Sequence, residues 1–461
     1  MYNPKLHFHF TGIGGSGMSG IAEILLNLGF RVSGSDVKIS PTCERLQKLG
    51  ASILPGHSAE NVPEGISLLV YSSAVARDNP ELLEAKRRGL PVIPRAAVLA
   101  ELMRLKYGVA VAGSHGKTTT TSMTAAVMEH GGLDPTIIIG GQVKATGSGG
   151  KLGKGDFLVA ESDESDRSFL LLKPTIAVVT NIDSEHLNAY SSQEDLENSF
   201  EQFVASVPFY GLAILCLDDP KVRVLASRYS GRKVTYGVSA DAQIQARNLH
   251  YKKFLTSFDV YRDGEYLLHV DLPMLGSHIA LNSLAAVAVG LEFGLSPRVI
   301  EEALASFSGV KRRLEIVGEV RGITVMNDYG HHPTEVAATL AAVKSGFGAD
   351  LNRLHVIFQP HRYTRTRDCF NDFIPAFKDC DNLLLTDIYA ASEEPIVGIH
   401  SEALCAAIRH PSKQYVAQLE ETLPILVAQA SAGDVVLCLG AGSVGTLPER
   451  LIAEFSKKVA A

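Results

Sequence analysis

The segment Val109-Ala-Val-Ala-Gly-Ser-His-Gly-Lys-Thr-Thr119 decides the fold. An apolar run of strand type, Tyr107 to Ala112, breaks at Gly113. A helix opening near Lys117 runs to about His130 and stops at Gly131-Gly132. Strand, glycine turn and helix in that order form the phosphate-holding unit of a parallel α/β sheet. Gly116-Lys117-Thr118 is the end of a P-loop. The full G-x-x-x-x-G spacing is missing, because Val111 stands where its first glycine would be. The chemistry holds without it: consecutive amides cradle phosphate oxygens, Lys117 neutralises them, and the Thr118 hydroxyl ligates Mg²⁺. Gly113, Ser114, His115, Gly116, Lys117, Thr118 and Thr119 are therefore read as an ATP site.

Upstream, Leu6 to Phe10 reads as a strand, Ile21 to Leu28 as a helix and Ser67 to Tyr71 as a further strand. Between the first two lies Gly12-Ile-Gly14-Gly15-Ser-Gly17, a G-x-G-x-x-G loop, with Asp36 nineteen residues beyond Gly17. This is a diphosphate fingerprint, though it does not say which nucleotide it holds. Two glycine loops in separate units imply two phosphate-bearing ligands.

Downstream, Glu161 closes the strand Phe157 to Ala160, the place for a Mg²⁺ ligand beside a P-loop. Asp163, Glu164 and Asp166 read equally as site residues or as a solvated acidic loop. His186, in the loop after strand Ile176 to Thr180, is placed for a second metal or the γ-phosphate. His278 and Asn282 lie four apart at the start of a helix, facing an adenine or capping the helix. Phe254 to Tyr261 and Tyr266 to Leu272 flank Asp263-Gly264, a hairpin signal.

From Val310 onwards, each apolar strand runs straight into polar residues: NDYGHH after Ile323 to Met326, QPHRYTRTR after His355 to Phe358, TDIYAASEE after Leu383 to Leu385, and GAGS after Val435 to Leu439. Ligands of open α/β sheets sit at those carboxyl ends. Arg362 and Arg365 offer guanidinium forks for a carboxylate. Arg312-Arg313 read either as surface charge or as a contact to transferred phosphate.

At 461 residues the chain holds about three domains. A net charge of −7 from 43 basic and 50 acidic residues excludes a general nucleic-acid binder. Its 46% apolar content excludes disorder, and its apolar runs are too short to span a membrane. Six scattered cysteines without a CxxC pair fit reduced thiols of a cytoplasmic protein.

Taken together, TGIGGSGMSG (11–20), GSHGKTTTT (113–121), ESDESD (161–166), TNIDSEH (180–186), the His278–Asn282 pair, RRLE (312–315), DYGHHPTE (328–335) and FQPHRYTRT (358–366) resemble the Mur ligases, ATP-dependent amide-bond-forming enzymes, over essentially the whole chain. The resemblance implies an α/β protein of three domains. A Rossmann-like domain at 1–106 binds a UDP-sugar through Gly12, Gly14, Gly15, Gly17, Asp36, Ser72 and Ser73. A P-loop ATPase domain at 107–309 has a mainly parallel sheet with an antiparallel portion. It carries Mg²⁺ (or Mn²⁺) on Thr118, Glu161 and His186. A Rossmann-like domain at 310–461 receives the amino acid through Tyr329, His331, Arg362 and Arg365. His278, Asn282, Arg313 and Asp328 join the ATP site, and Lys117, His186, Arg313 and His331 carry the catalysis.

The implied substrates are UDP-N-acetylmuramate, ATP and L-alanine, joined through an acyl phosphate by a monomer or weak homodimer, with neither nucleic acid nor membrane insertion. Three departures from the family pattern stand out. Ser114 replaces a threonine, and Asn327 stands where a first aspartate is expected. No lysine lies between His186 and Pro208, where several members carry a carbamylated one, and this points to the alanine-adding branch. The competing readings are a ligase recycling a tripeptide onto the same UDP-sugar, an NAD-dependent oxidoreductase built on the first loop, and a nucleotide-gated binding protein without turnover.

Overall fold

The computed structural model describes residues 5–72, 74–140, 149–183, 189–391 and 393–457. They fall into two compact units. One comprises residues 1–247, 259–269 and 281–308; the other comprises 248–258, 270–280 and 309–461.

The first unit holds a five-stranded sheet and most of a ten-stranded one. β1 (His7–Thr11), β2 (Arg31–Asp36), β3 (Ser52–Pro55), β4 (Leu68–Tyr71) and β5 (Val92–Pro94) form a wholly parallel sheet ordered β3-β2-β1-β4-β5. That order reverses beside β1, which sets the crevice for a ligand at the carboxyl ends of β1 and β4. β1 is buried along its whole length although it carries two histidines. They are tolerated because they are hydrogen-bonded: His7 and His9 share the Ser33 hydroxyl at 2.9 Å each, and His9 reaches the buried Glu81 at 3.4 Å. The helix after the first glycine loop starts at Ser16, earlier than the apolar pattern from Ile21 suggests, because glycines and serines fill its first turn.

The second sheet has ten strands: β6 (Tyr107–Ala112), β7 (Thr136–Ile138), β8 (Gly150–Lys151), β9 (Phe157–Glu161), β10 (Ile176–Val179), β11 (Leu212–Cys216), β12 (Lys233–Gly237), β13 (Ile244–Lys252), β14 (Leu255–Arg262) and β15 (Glu265–Leu272). Their order is β15-β14-β13-β12-β11-β10-β6-β9-β7-β8. β6 sits between β10 and β9, so the carboxyl ends of three parallel strands meet at the P-loop. The expected hairpin is present. Asp263 (φ 50°) and Gly264 (φ 88°) form the two-residue turn, both with the positive φ of a type I′ geometry. It extends the sheet rather than forming a separate layer.

In the second unit, β16 (Glu315–Val320), β17 (Ile323–Asp328), β18 (Leu354–Phe358), β19 (Asn382–Leu385), β20 (Lys413–Tyr415) and β21 (Val435–Leu439) are ordered β16-β17-β21-β18-β19-β20, parallel apart from the β16 edge. The first strand of this sheet is thus an antiparallel addition to a Rossmann-like core. Apolar clusters cover both faces, one around Val336, Leu340 and Phe373, the other around Leu423, Leu447 and Phe455. Among the described residues, no helix is long and apolar enough to cross a membrane.

Candidate active site

At the end of β6, Gly113 (φ 139°) and Gly116 (φ 81°) adopt backbone conformations that side chains rarely take. A Cβ on Gly113 would collide with the Thr180 hydroxyl, and one on Gly116 would lie 2.6 Å from the Asn282 carboxamide oxygen. The loop is braced by the strand-end segment at 180–183. The His115 amide donates to Asn181 Oδ1 at 2.8 Å, the Asp183 amide to Ser114 Oγ at 2.8 Å, and the Thr180 hydroxyl to the His115 carbonyl at 2.7 Å. His115 Nε2 also lies 3.0 Å from Asp183 Oδ2.

Lys117 folds back over this loop. Its Nζ donates to the Gly113 carbonyl at 2.6 Å and the Ser114 carbonyl at 3.1 Å, and stands 2.7 Å from Glu164 Oε2. Burial works against the ammonium, but Glu164, Asp163 and Glu161 outweigh it and hold Lys117 above its ordinary range. Burial pushes the Glu164 carboxyl up to about 7, against the pull of Lys117. Of the acidic run, Glu164 is buried, Asp163 half-buried and Asp166 exposed.

Thr118 and Glu161 meet directly: the hydroxyl donates to Oε2 at 2.9 Å, and the Gly140 amide donates to the same oxygen at 2.8 Å. Hydroxyl plus carboxylate at the foot of a P-loop is a hard-oxygen pair of the kind Mg²⁺ takes. His186, the third expected metal residue, lies outside the described residues, as does Ser73. Asn282 is buried against the P-loop.

His278, one turn earlier on the helix Ser277–Glu292, belongs to the second unit. There burial, then Arg313, lowers its pKa to about 4, against the pull of Glu335.

In the first glycine loop, the Gly14 amide donates to Asp36 Oδ2 at 2.8 Å. Asp36 therefore braces the loop itself with one carboxylate oxygen. A Cβ on Gly14 would meet that oxygen at 2.9 Å. Beneath the loop, the fully buried Glu81 accepts from the Thr11 hydroxyl at 2.8 Å, the Ser35 hydroxyl at 2.7 Å and the Asn61 amide at 3.2 Å. Burial opposes its ionisation, but hydrogen bonds from His9, Ser35, Thr11 and Asn61 hold the pKa down at about 2.

In the second unit, strand-end loops converge. Asp328 is buried; it accepts from the Leu314 amide at 2.7 Å and the Gly330 amide at 2.8 Å, and burial raises its pKa. The two arginines differ. Arg312 (φ 57°) donates through Nη2 to the Gly440 carbonyl at 2.5 Å, locking the GAGS turn, while both guanidinium groups stack on the Tyr329 ring. Arg313 also lies 3.9 Å from Glu335.

The His331 ring is tilted against His361 at 5.6 Å between ring centres, His361 is stacked parallel to Tyr389, and Arg365 reaches His361 Nδ1 at 3.2 Å. Of the expected amino-acid residues, His331 and Arg365 come together in this way. Tyr329 is 5.5 Å from His331, whereas Arg362 is exposed and lies 3.8 Å from Glu393. His361 and Tyr389 were not singled out from the sequence. His361 sits inside the HRYTRTR segment, and its position beside two arginines was the available signal.

Asn327 is buried, donating to the Gly445 carbonyl at 3.2 Å, while its Oδ1 has no hydrogen-bond partner among the described residues.

This geometry can be set beside known proteins. Three family models match in succession: the Mur ligase family catalytic domain over residues 7–107, the Mur ligase middle domain over 111–290, and the Mur ligase glutamate ligase domain over 312–442. Curated relatives include UDP-N-acetylmuramate–L-alanine ligase of Geobacter sp. (strain M21), 50% identical over 98% of each chain. The enzyme of the same name from Anaeromyxobacter dehalogenans (strain 2CP-C) is 54% identical over 96% of this chain and 97% of its own. Among solved structures, the UDP-N-acetylmuramate–alanine ligase of Thermotoga maritima superposes with a TM-score of 0.85 at 28% identity, covering 98% of this chain and all of that one. A murein peptide ligase of Psychrobacter arcticus shares the fold, with a TM-score of 0.73 at 24% identity over 98% of both chains. The P-loop with Lys117 turned onto it, the first glycine loop braced by Asp36, and family matches running nearly end to end all agree: the chain belongs to the Mur ligase family.

Proposed function

We propose that the protein joins L-alanine to the lactyl carboxylate of UDP-N-acetylmuramate at the expense of ATP, a step of peptidoglycan precursor synthesis. The observation that carries this is the P-loop with the Lys117–Glu164 and Thr118–Glu161 pairs, within a chain 50% identical over 98% of its length to relatives named for that reaction. The family is ATP-dependent, and ATP is the co-substrate. The segments 1–106, 107–309 and 310–461 serve the UDP-sugar, ATP and the amino acid in turn.

Lys117 exchanges its loop carbonyls and Glu164 for the phosphates of ATP, which satisfy the ammonium as those partners do now. Thr118 and Glu161, with His186, would hold Mg²⁺. When bound, that ion supplies charge neutralisation at the phosphates. Asn282, set against Gly116, serves the nucleotide, together with His278, Arg313 and Asp328. The lactyl carboxylate attacks the γ-phosphorus, giving an acyl phosphate and ADP. The alanine amine then adds to the acyl carbon, and phosphate leaves as the amide forms and the amine loses its proton. Lys117 stabilises negative charge at both stages. The UDP-sugar rests on Gly12, Gly14, Gly15 and Gly17, with Asp36, Ser72 and Ser73 alongside. Arg365, Arg362, Tyr329 and His331 take the amino acid's carboxylate end.

The test is phosphate release from the purified chain with Mg²⁺-ATP and UDP-N-acetylmuramate, adding L-alanine or the recycled tripeptide in parallel. Release stimulated by L-alanine, with a product heavier by one alanyl residue, is expected. Stimulation by the tripeptide alone would overturn the reading in favour of recycling.

A further inference from the structure

Arg95 opens the helix Arg95–Arg104 directly after β5. Its guanidinium lies against Gly17, on the first turn of the helix that follows the diphosphate loop. A Cβ built on Gly17 would fall 2.7 Å from Nη1, 3.0 Å from Cζ and 3.2 Å from Nε. With glycine at this position the guanidinium lies directly on the first turn of the helix, where a side chain would make it move aside.

The same guanidinium reaches the acidic run that follows β9. Nη2 lies 3.5 Å from Asp163 Oδ2, in the acidic run whose next residue, Glu164, pairs with Lys117. Arg95 therefore links the helix of the first glycine loop to the acidic run beside Lys117, with its side chain only 17% exposed.

An arginine carries five N–H donors. Among the described residues Asp163 is its one hydrogen-bond partner, at the outer limit of distance, and Asp163 already accepts from the Ser165 amide at 3.0 Å. A largely buried guanidinium with most of its fork unspent, pressed on the first turn of a diphosphate-loop helix, is built to take a second anion.

We propose that Arg95 binds substrate: its unspent donors take an anionic group of the UDP-sugar, and its link to Asp163 aims that group towards the ATP loop. This rests on the function proposed above. The diphosphate and the lactyl carboxylate present the same forked oxygen chemistry, and the experiment separates them.

Calorimetric titration of the full chain with UDP, UDP-N-acetylglucosamine, UDP-N-acetylmuramate and Mg²⁺-ATP would be run on wild type, R95K and R95A, with thermal unfolding of each. R95A is expected to weaken UDP-N-acetylmuramate by roughly 10- to 100-fold, with ATP affinity unchanged. R95K, which keeps the charge but not the fork, is expected to recover only part, and it carries the test if R95A does not fold. Equal weakening of all three UDP compounds assigns the diphosphate; weakening of UDP-N-acetylmuramate alone assigns the carboxylate. Unchanged UDP-sugar affinity, or parallel loss of ATP and UDP-sugar, overturns the proposal. A wild-type chain that binds no UDP compound would instead bring down the proposed function, and Arg95's role with it.

Discussion

The Lys117 ammonium stands 2.7 Å from the carboxylate of Glu164, and the Glu164 side chain is only 1% exposed. The cation of the P-loop is thus neutralised by the protein itself until phosphate arrives. An ion pair this buried adds little net stability as a pair, but removing one partner strands the other.

Lys117→Met is therefore expected to abolish turnover and to destabilise the fold by about 3–5 kcal/mol, because Glu164 is left buried without its cation. Glu164→Gln tests the pair through pH. Burial raises the folded-state pKa of Glu164 from 4.5 to about 7. Between those values the folded state holds more protons than the unfolded one, so this group's contribution is full below 4.5 and lost as pH rises through about 7. Thermal melts across that window should show wild type losing stability relative to Glu164→Gln as pH rises. A constant difference would remove the raised pKa from the account.

Glu81 is the opposite case. Its folded pKa, held down from 4.5 to about 2 by hydrogen bonds from His9, Ser35, Thr11 and Asn61, makes its stabilisation present above 4.5 and lost as pH falls through about 2. Glu81→Gln, with one acceptor oxygen in place of two charged ones, should cost about 3 kcal/mol at neutral pH. It should also flatten the acid limb of the stability curve. Thr11 ends β1, from which the first glycine loop leaves, and on the neighbouring β2 the Ser35 carbonyl accepts the Gly12 amide at 2.9 Å. The UDP-sugar KM should therefore rise more than that of ATP, and equal shifts would reduce Glu81 to a general structural role.

How far the sequence carries these arguments depends on the range of each signal. Gly113 to Lys117 was legible because a strand, a glycine turn and a helix are local, and the structure puts Lys117 on that loop. The Asp263-Gly264 hairpin was legible for the same reason. Glu81 was not, because its partners lie between 20 and 72 residues away in the chain and nothing in Pro80-Glu81-Leu82 announces them. Glu164 sat in an acidic run in which the side chain turned inward cannot be told from those turned outward. The strands Leu212–Cys216 and Lys233–Gly237 were passed over, since a short apolar run carries no period of its own. The reach of Arg95 to Gly17 needed β1 and β5, far apart in the chain, to be brought into one sheet before it had any meaning.

Gly116→Ala isolates the nucleotide side. The substitution forces a side chain into φ 81° and into contact with Asn282 Oδ1 at 2.6 Å, so backbone strain and a displaced carboxamide act together. The KM for ATP should rise by at least about tenfold, with that for the UDP-sugar little changed, since two or more kcal/mol of strain falls on one loop. Steady-state kinetics with each substrate varied in turn would check this, and equal rises in both constants would refute it.

The amino-acid end yields a prediction about protons. Burial holds the His331 imidazole well below its ordinary range, against Glu335. Burial, with Arg365 and Arg362, brings His361 down to about 4. Both rings are therefore neutral throughout the neutral range. A neutral imidazole whose conjugate acid is so strong is a weak proton acceptor, so His331 is better suited to hydrogen-bonding the amine than to deprotonating it. The rate constant kcat/KM for L-alanine, corrected for ionisation of the free amine, should show no imidazole inflection near pH 6.5. Stability has its own sign here. A lowered histidine pKa means that the unfolded state binds more protons between 6.5 and about 4, so stability should fall as pH drops through that window, and His361→Asn should blunt the fall. Arg365→Lys keeps the charge but loses the fork beside His361; it should raise the L-alanine KM by roughly tenfold while leaving that of ATP in place. An inflection near 6.5 that disappears in His331→Asn would instead make His331 the base.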